Sequence, residues 1–284
     1  MKVLILGSSG MLGHTLVRYL ISQSNLDVGF TLRNNHQLEI FKSIFDVKSS
    51  YIFDANYIEN FENIILDFKP DLCINCIGII KKKFGTNDNI QNIKINSLLP
   101  HYLDNICLRH NCRFLHISTD CVFSGKKGNY SEVDIPDPID LYGRSKLLGE
   151  VLNNNSATIR TSIIGHEHFT RNGLLEWLLS SKKDVDGYKN AIFSGLTTLE
   201  LSKIIHRYFI QRNDLRGLFH VSSNSISKND LLLLIKDIYK LKININEEFK
   251  NQINRSLCSS KFEQVSGYKP KRWDDLLEEL KSFR

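Results

Sequence analysis

The chain has 284 residues, 42% hydrophobic and 24% charged, with 5 Pro and 16 Gly. This composition excludes a wholly disordered, collagen-like or linker-dominated chain, and no apolar run reaches the roughly 18 residues needed to span a bilayer. Lys plus Arg total 37 against 31 Asp plus Glu, a net charge of +6, which suits a phosphorylated ligand but, spread along the whole chain, does not indicate nucleic acid.

The length fits one large domain or two tightly joined ones. Lys2–Leu6 reads as a short apolar strand running straight into Gly7, too short for a signal-peptide core, so the start reads as folded structure. Met11, Leu12, Leu16, Val17 and Leu20 recur at helical spacing over Met11–Ile21. Val28–Leu32 and Tyr51–Phe53 follow as strands, and Tyr57–Phe68 as an amphipathic helix. Asp71–Ile79 is apolar at nearly every position, as expected of a strand covered on both faces. It carries Cys73 and Cys76 at C-x-x-C spacing, but residues three apart on a strand point to opposite faces, so buried thiols are expected rather than a metal or redox pair. The other cysteines, at 107, 112, 121 and 258, imply no disulfide framework. A helix over Ile95–His110, a strand over Arg113–Ser118, a helix over Leu141–Leu152 and a strand over Ala157–Ile164 complete an alternating β-α rhythm. Beyond them lie apolar-periodic helices at Leu174–Leu179, Thr198–Ile210, Leu231–Tyr239 and Trp273–Phe283, with a lone strand at Leu218–Val221. Ser227, three residues before Asp230, resembles a capping box.

The expected fold class is therefore α/β: a Rossmann-type doubly wound parallel sheet over residues 1–165, open to completion by 217–222. A smaller C-terminal α/β substrate-binding region over 166–284 is expected to close a cleft against it.

The segment Gly7-Ser8-Ser9-Gly10-Met11-Leu12-Gly13 follows the first strand and opens the first helix. Glycines there allow a tight turn and bring backbone N–H groups close to a pyrophosphate at the positive end of a helix. The spacing is G-x-x-G-x-x-G, and its strand–turn–helix context points to a dinucleotide. Arg33 ends the second strand, where an acidic residue would grip the ribose of NAD; Asp27 lies before that strand. A guanidinium suits a 2′-phosphate, so NADPH is the preferred cofactor over NADH, the alternative being an ordinary surface arginine. Lys81-Lys82-Lys83 reads as a solvated loop, with Lys81 reaching a bound phosphate or sugar as the other reading. Ser118-Thr119-Asp120 ends a strand, and Tyr142-Gly143-Arg144-Ser145-Lys146 starts a helix. Tyr and Lys four apart share a helical face, where an ammonium favours the phenolate and a strand-end hydroxyl can hold a carbonyl oxygen. Together these make a proton-donating site beside a dinucleotide. His166 and His168 lack an acidic partner in a ligand pattern, so no metal is expected. Arg255 reads as either a diphosphate clamp or a surface salt bridge.

With these segments, Asn75-Cys76-Ile77-Gly78, Cys121-Val122-Phe123-Ser124-Gly125, Gly149-Glu150 and Arg160-Thr161-Ser162, the chain resembles an extended short-chain dehydrogenase/reductase. Within that group it is similar to the dTDP-4-dehydrorhamnose reductase family, nearly end to end. The resemblance implies Tyr142 as proton donor, Lys146 at the nicotinamide ribose and Thr119 on the substrate carbonyl. It implies a cofactor lined by Gly7, Ser8, Ser9, Gly10, Met11 and Leu12, with Asp54 at the adenine, Cys76, Ile77 and Gly78 beneath, and Asn96 and Ser118 nearby. The sugar side would hold Lys81, Cys121, Ile163 and Arg255.

In the family, aromatics usually occupy the positions of Cys121 and Ile163, so a changed sugar, such as a 2-acetamido one, is implied. The family's dehydratase relatives have Asp and Glu after the active threonine; here Asp120 is followed by Cys121, which disfavours dehydration. The implied activity is reduction of a nucleotide-linked 4-keto-6-deoxy-hexose, in rhamnose or N-acetylrhamnosamine nucleotide-sugar biosynthesis. The competing readings are an NADP-binding regulatory subunit and a nucleotide-sugar epimerase. A cytoplasmic homodimer is expected, with no nucleic-acid or membrane partner.

Overall fold

The computed structural model describes residues 1–45, 49–80, 89–169 and 171–283. The central sheet has seven strands: β1 (Lys2–Leu6), β2 (Asp27–Leu32), β3 (Ser49–Ile52), β4 (Leu72–Asn75), β5 (Arg113–Thr119), β6 (Ser156–Thr161) and Gly217–His220. From one edge to the other they run Gly217–His220, β6, β5, β4, β1, β2, β3, every pairing parallel. The chain moves outward from β1 to β3 and then returns to place β4 on the other side of β1. Such a switch point opens a crevice at the carboxyl ends of the strands, where ligands of open α/β sheets bind.

Alternation along β1 builds both layers. Val3 and Ile5 enter one core and Leu4 and Leu6 the other, all fully buried. The first face is covered by α1 (Met11–Ile21), α2 (Asn35–Ile44) and the stretch Thr198–Ile204, which continues as a π-helical turn over Ile205–Ile210. The second is covered by α3 (Asn60–Phe68) and, after the short helix α4 (Asn89–Asn92), by α5 (Leu99–Arg109). The chain past residue 165 is not confined to a separate layer, because Leu196, Leu201, Phe209 and Phe219 share the first core with Val3 and Leu16. Leu175, Phe193, Leu231, Ile235, Trp273 and Leu277 form the core of the smaller region. There the helix Lys228–Tyr239 is capped by Ser227, whose hydroxyl accepts from the Asp230 N–H at 3.0 Å.

Several elements differ from their sequence-based bounds. β4 stops at Asn75, not Ile79, because the backbone of 76–78 peels off along the glycine turn. The helix expected from Ile95 starts at Asn89–Asn92 and passes through a π-helical turn, Ile93–Leu98, before α5. The strand expected over Ala157–Ile164 breaks at Ser162, and Ile163–Ile164 pairs instead with Leu196–Thr197. The helix α6 (Leu141–Leu148) ends four residues before Leu152, and Glu150 leaves it to meet Arg160. The helices α2 and Ser260–Ser266 were not expected; Phe41 and Phe262 are their respective buried residues, too few to set a period. Among the described residues no helix is long and apolar enough to cross a membrane.

Candidate active site

The glycine turn joins β1 to α1. A Cβ on Gly13 would lie 2.3 Å from the Gly7 carbonyl oxygen, so only glycine lets the helix start this close to the strand. Gly10 is the N-cap of α1 and supplies no side-chain cap, which leaves the first N–H groups of the helix for a ligand. No acidic residue occupies that first turn. Ser8 is buried, its hydroxyl on the Ile5 carbonyl oxygen, while Ser9, Met11 and the exposed Gly10 border the turn and Leu12 anchors it in the core. The segment Cys76-Ile77-Gly78 runs alongside. These features fit a pyrophosphate: N–H donors, the positive end of a helix and no opposing charge.

Arg33 is exposed immediately after β2, and its backbone N–H donates to Gln37. Asp54 follows β3 and accepts from the Asn56 backbone and side chain, which shapes its turn. Asn96, carried inward by the π-helical turn, is fully buried. Its amide bonds the N–H and carbonyl of Ile79 and the Ser145 hydroxyl, so it braces the segment after β4 against α6. Ser118 donates to Glu150 at 2.7 Å, within a buried cluster completed by Arg160. Lys81, with the rest of the lysine run, lies outside the described residues.

The reactive groups meet where β5 ends and α6 begins. Thr119 caps a short 3-10 turn, Asp120–Val122, accepting from the Cys121 N–H at 3.1 Å. Asp140 caps α6, accepting from the Gly143 N–H at 2.9 Å. A Cβ on Gly143 would sit 2.2 Å from the Cys121 carbonyl oxygen, so the glycine lets the helix dock on that turn. The docking sets the half-buried Tyr142 phenol against the Thr119 hydroxyl. Burial first, then Cys121, pushes the Tyr142 phenol above its ordinary value, with the Thr119 hydroxyl opposing the rise. The phenol therefore keeps its proton at neutral pH, the form a general acid needs.

Lys146 is buried one turn along, and burial lowers its amine to about 8. Its Nζ donates to the Ile117 carbonyl at 2.7 Å and lies 3.2 Å from His116 Nε2. The downward tuning of the phenol expected from the Tyr–Lys spacing is not found: the Tyr142 pKa is raised and the lysine is hydrogen-bonded to β5.

Of the residues expected at the sugar, Arg255 donates to the Phe123 carbonyl at 2.9 Å and to Cys121 Sγ at 3.4 Å. Cys121 is half-buried, its thiol pushed up to about 12 by burial. Ile163 is half-buried beyond the end of β6, packed on the first core. Two residues here were missed from sequence. Lys228 places its ammonium 4.3 Å from the Phe193 ring centre, and its charge opposes the rise that burial imposes on Asp120. A lysine opening an apolar helix gives no sequence signal of this. His116, between Lys146 and Asn75, could have been found as a polar residue inside an apolar strand.

His166 is held by Glu176 at 2.7 Å and Tyr239 at 3.0 Å, and among the described residues no cluster could hold a metal ion. All six cysteines are free. A cavity of about 630 Å³ lined by His14, Arg18, His168 and Phe283 lies along α1, without any of the expected site residues.

A family model described as RmlD substrate binding domain matches residues 1–280. The chain is 25% identical over 307 aligned residues to a dTDP-4-dehydrorhamnose reductase of Aggregatibacter actinomycetemcomitans, covering 99% of each. A crystal structure of a hypothetical dTDP-4-dehydrorhamnose reductase from Sulfolobus tokodaii is 28% identical with a TM-score of 0.77, over 96% of this chain and 98% of that one. The NADP complex of the Bacillus anthracis dTDP-4-dehydrorhamnose reductase has a TM-score of 0.82 at 21% identity, over 100% of this chain and 98% of that one.

Proposed function

Because the chain belongs to the RmlD substrate binding domain family and is dTDP-4-dehydrorhamnose reductase-like, we propose that it reduces a nucleotide-linked 4-keto-6-deoxy-L-hexose to the 4-hydroxy sugar. The observation that carries this reading is the Tyr142 phenol, kept protonated by burial, against the Thr119 hydroxyl beside a dinucleotide-shaped turn. When bound, NADPH supplies the hydride to C4. The chain does the rest. Thr119 holds the keto oxygen, and Tyr142 delivers its proton to that oxygen as charge develops there. Lys146 holds the ribose, and the Gly7–Leu12 backbone holds the pyrophosphate. Asp120 has no glutamate beside it, so the acid–base pair of a dehydratase is missing. NADPH consumption on mixing the protein with such a sugar tests the reading.

Arg33, exposed at the end of β2, supports a preference for NADPH. Arg33→Ala is expected to weaken NADPH binding by about 1.5–3 kcal/mol, roughly tenfold or more, and NADH binding much less. Equal losses in a fluorescence titration of both cofactors would take Arg33 away from the 2′-phosphate.

For the sugar, Cys121 is smaller than the aromatic usual in the family, and Arg255 beside it offers N–H donors suited to an acetyl carbonyl. A UDP-linked 2-acetamido substrate is therefore expected to exceed its 2-hydroxy analogue in kcat/KM by a factor worth about 1–3 kcal/mol. A side-by-side kinetic comparison favouring the 2-hydroxy sugar would return the chain to rhamnose synthesis.

A further inference from the structure

Between β4, β5 and α6 lies a chain of hydrogen bonds that the proposed reduction does not use. The backbone N–H of Ile77 donates to Asn75 Oδ1 at 3.0 Å. That bond fixes the amide, because the oxygen has to face the N–H, and so the Asn75 nitrogen faces His116. Asn75 Nδ2 and His116 Nδ1 are 3.2 Å apart. An amide N–H only donates, so Nδ1 accepts. His116 is fully buried, and burial holds it well below its ordinary pKa. The ring is neutral, with its single proton on Nε2.

Nε2 lies 3.2 Å from Lys146 Nζ. A donating N–H needs a lone pair opposite it, which a neutral amine has and an ammonium lacks. The other bond of Nζ, its donation to the Ile117 carbonyl, is open to both forms. The donors thus run in one direction from Ile77 through Asn75, His116 and Lys146 to Ile117.

We propose that His116 is a positioning residue that in mildly alkaline solution parks Lys146 as a neutral amine against β5, and that dinucleotide binding there draws the lysine off His116 with uptake of one proton from solvent. The second half rests on the reductase reading; the first stands on the free protein. The groups acting on Lys146 agree with it. From the end of β4, the Cys76 thiol is pushed up to about 12 by burial and is uncharged. From beyond α6, the Glu150 carboxylate favours the ammonium, but Arg160 holds it at 2.7 Å and Ser118 at 2.7 Å. On its own helix the Tyr142 phenol is protonated, and on β5 His116 is neutral, with His101 lowering it further. Burial dominates and leaves the amine at about 8, so the neutral form prevails above that pH.

The test is proton uptake on NADPH binding at about pH 9, where about nine in ten free molecules hold the neutral amine. Uptake of about half a proton or more per NADPH is expected from the wild type. In His116→Gln the glutamine oxygen can accept from an ammonium, which favours the charged form before binding, so uptake should fall at least about twofold. NADPH binding without uptake, or equal uptake in wild type and variant, would overturn the proposal alone. Failure of the wild type to bind NADPH would overturn the reductase reading, and the release step with it. If the variant does not fold, the nitrogen NMR signal of Lys146 in the free wild-type protein at about the same pH decides the resting state: an amine supports it and an ammonium overturns it.

Discussion

Tyr142→Phe is expected to bind NADPH almost as the wild type does and to lose turnover by at least about a hundredfold, the low end for removing a general acid. The hydroxyl acts only when charge develops on the sugar oxygen, so its loss raises the barrier without loosening the ground state. The local structure has little reason to change. Asp140 caps the helix through Gly143, and Gly143 docks on the Cys121 carbonyl, so neither anchor involves the Tyr142 hydroxyl. Stopped-time kinetics beside a cofactor titration separate the two effects. Turnover near the wild-type rate would remove Tyr142 from the chemistry.

A second large effect is expected in stability. Glu150 and Arg160 face each other with side chains only 5% and 4% exposed, and bond twice, at 2.8 and 2.7 Å. Ser118 adds a third bond to the same carboxylate. Glu150→Ala leaves a guanidinium buried without its counter-charge, and breaking such a pair costs about 3–5 kcal/mol. His220, 3.3 Å from Arg160 Nη1, cannot replace the carboxylate, because burial lowers its pKa to about 4 and an imidazole carries no negative charge. Chemical denaturation should show the full loss. A change below about 1 kcal/mol would mean that the pair behaves like an exposed one.

The repeating pattern of the sheet was legible because β1 and β4 are short apolar runs and the strands alternate with helical periods. The faces they build follow from simple alternation, as Val3 and Leu4 show. What escaped was set by tertiary contacts. The end of β4 at Asn75 depends on how close 76–78 comes to the glycine turn, and α2 has one buried residue and a cap to hold it. Of the expected site, the structure brings Thr119 and Tyr142 together, and the Gly7–Gly13 turn leads into a helix start without a side-chain cap. The resting position of Lys146 was not legible, since it depends on a histidine from one strand and an asparagine from the next. The pairing of Glu150 with Arg160 was hidden in the same way, although both residues stood in segments that carried the family resemblance.

The proposed hydride transfer to C4 of a nucleotide-linked 4-keto sugar can be followed with NADPH carrying deuterium at the transferable position of the nicotinamide, mixed with a panel of dTDP- and UDP-linked 4-keto-6-deoxy-hexoses. One deuterium at C4 of the 4-hydroxy product is expected for each NADPH consumed, read by NMR. Tight NADPH binding with no label at C4 and no cofactor consumed, across the whole panel, would contradict it.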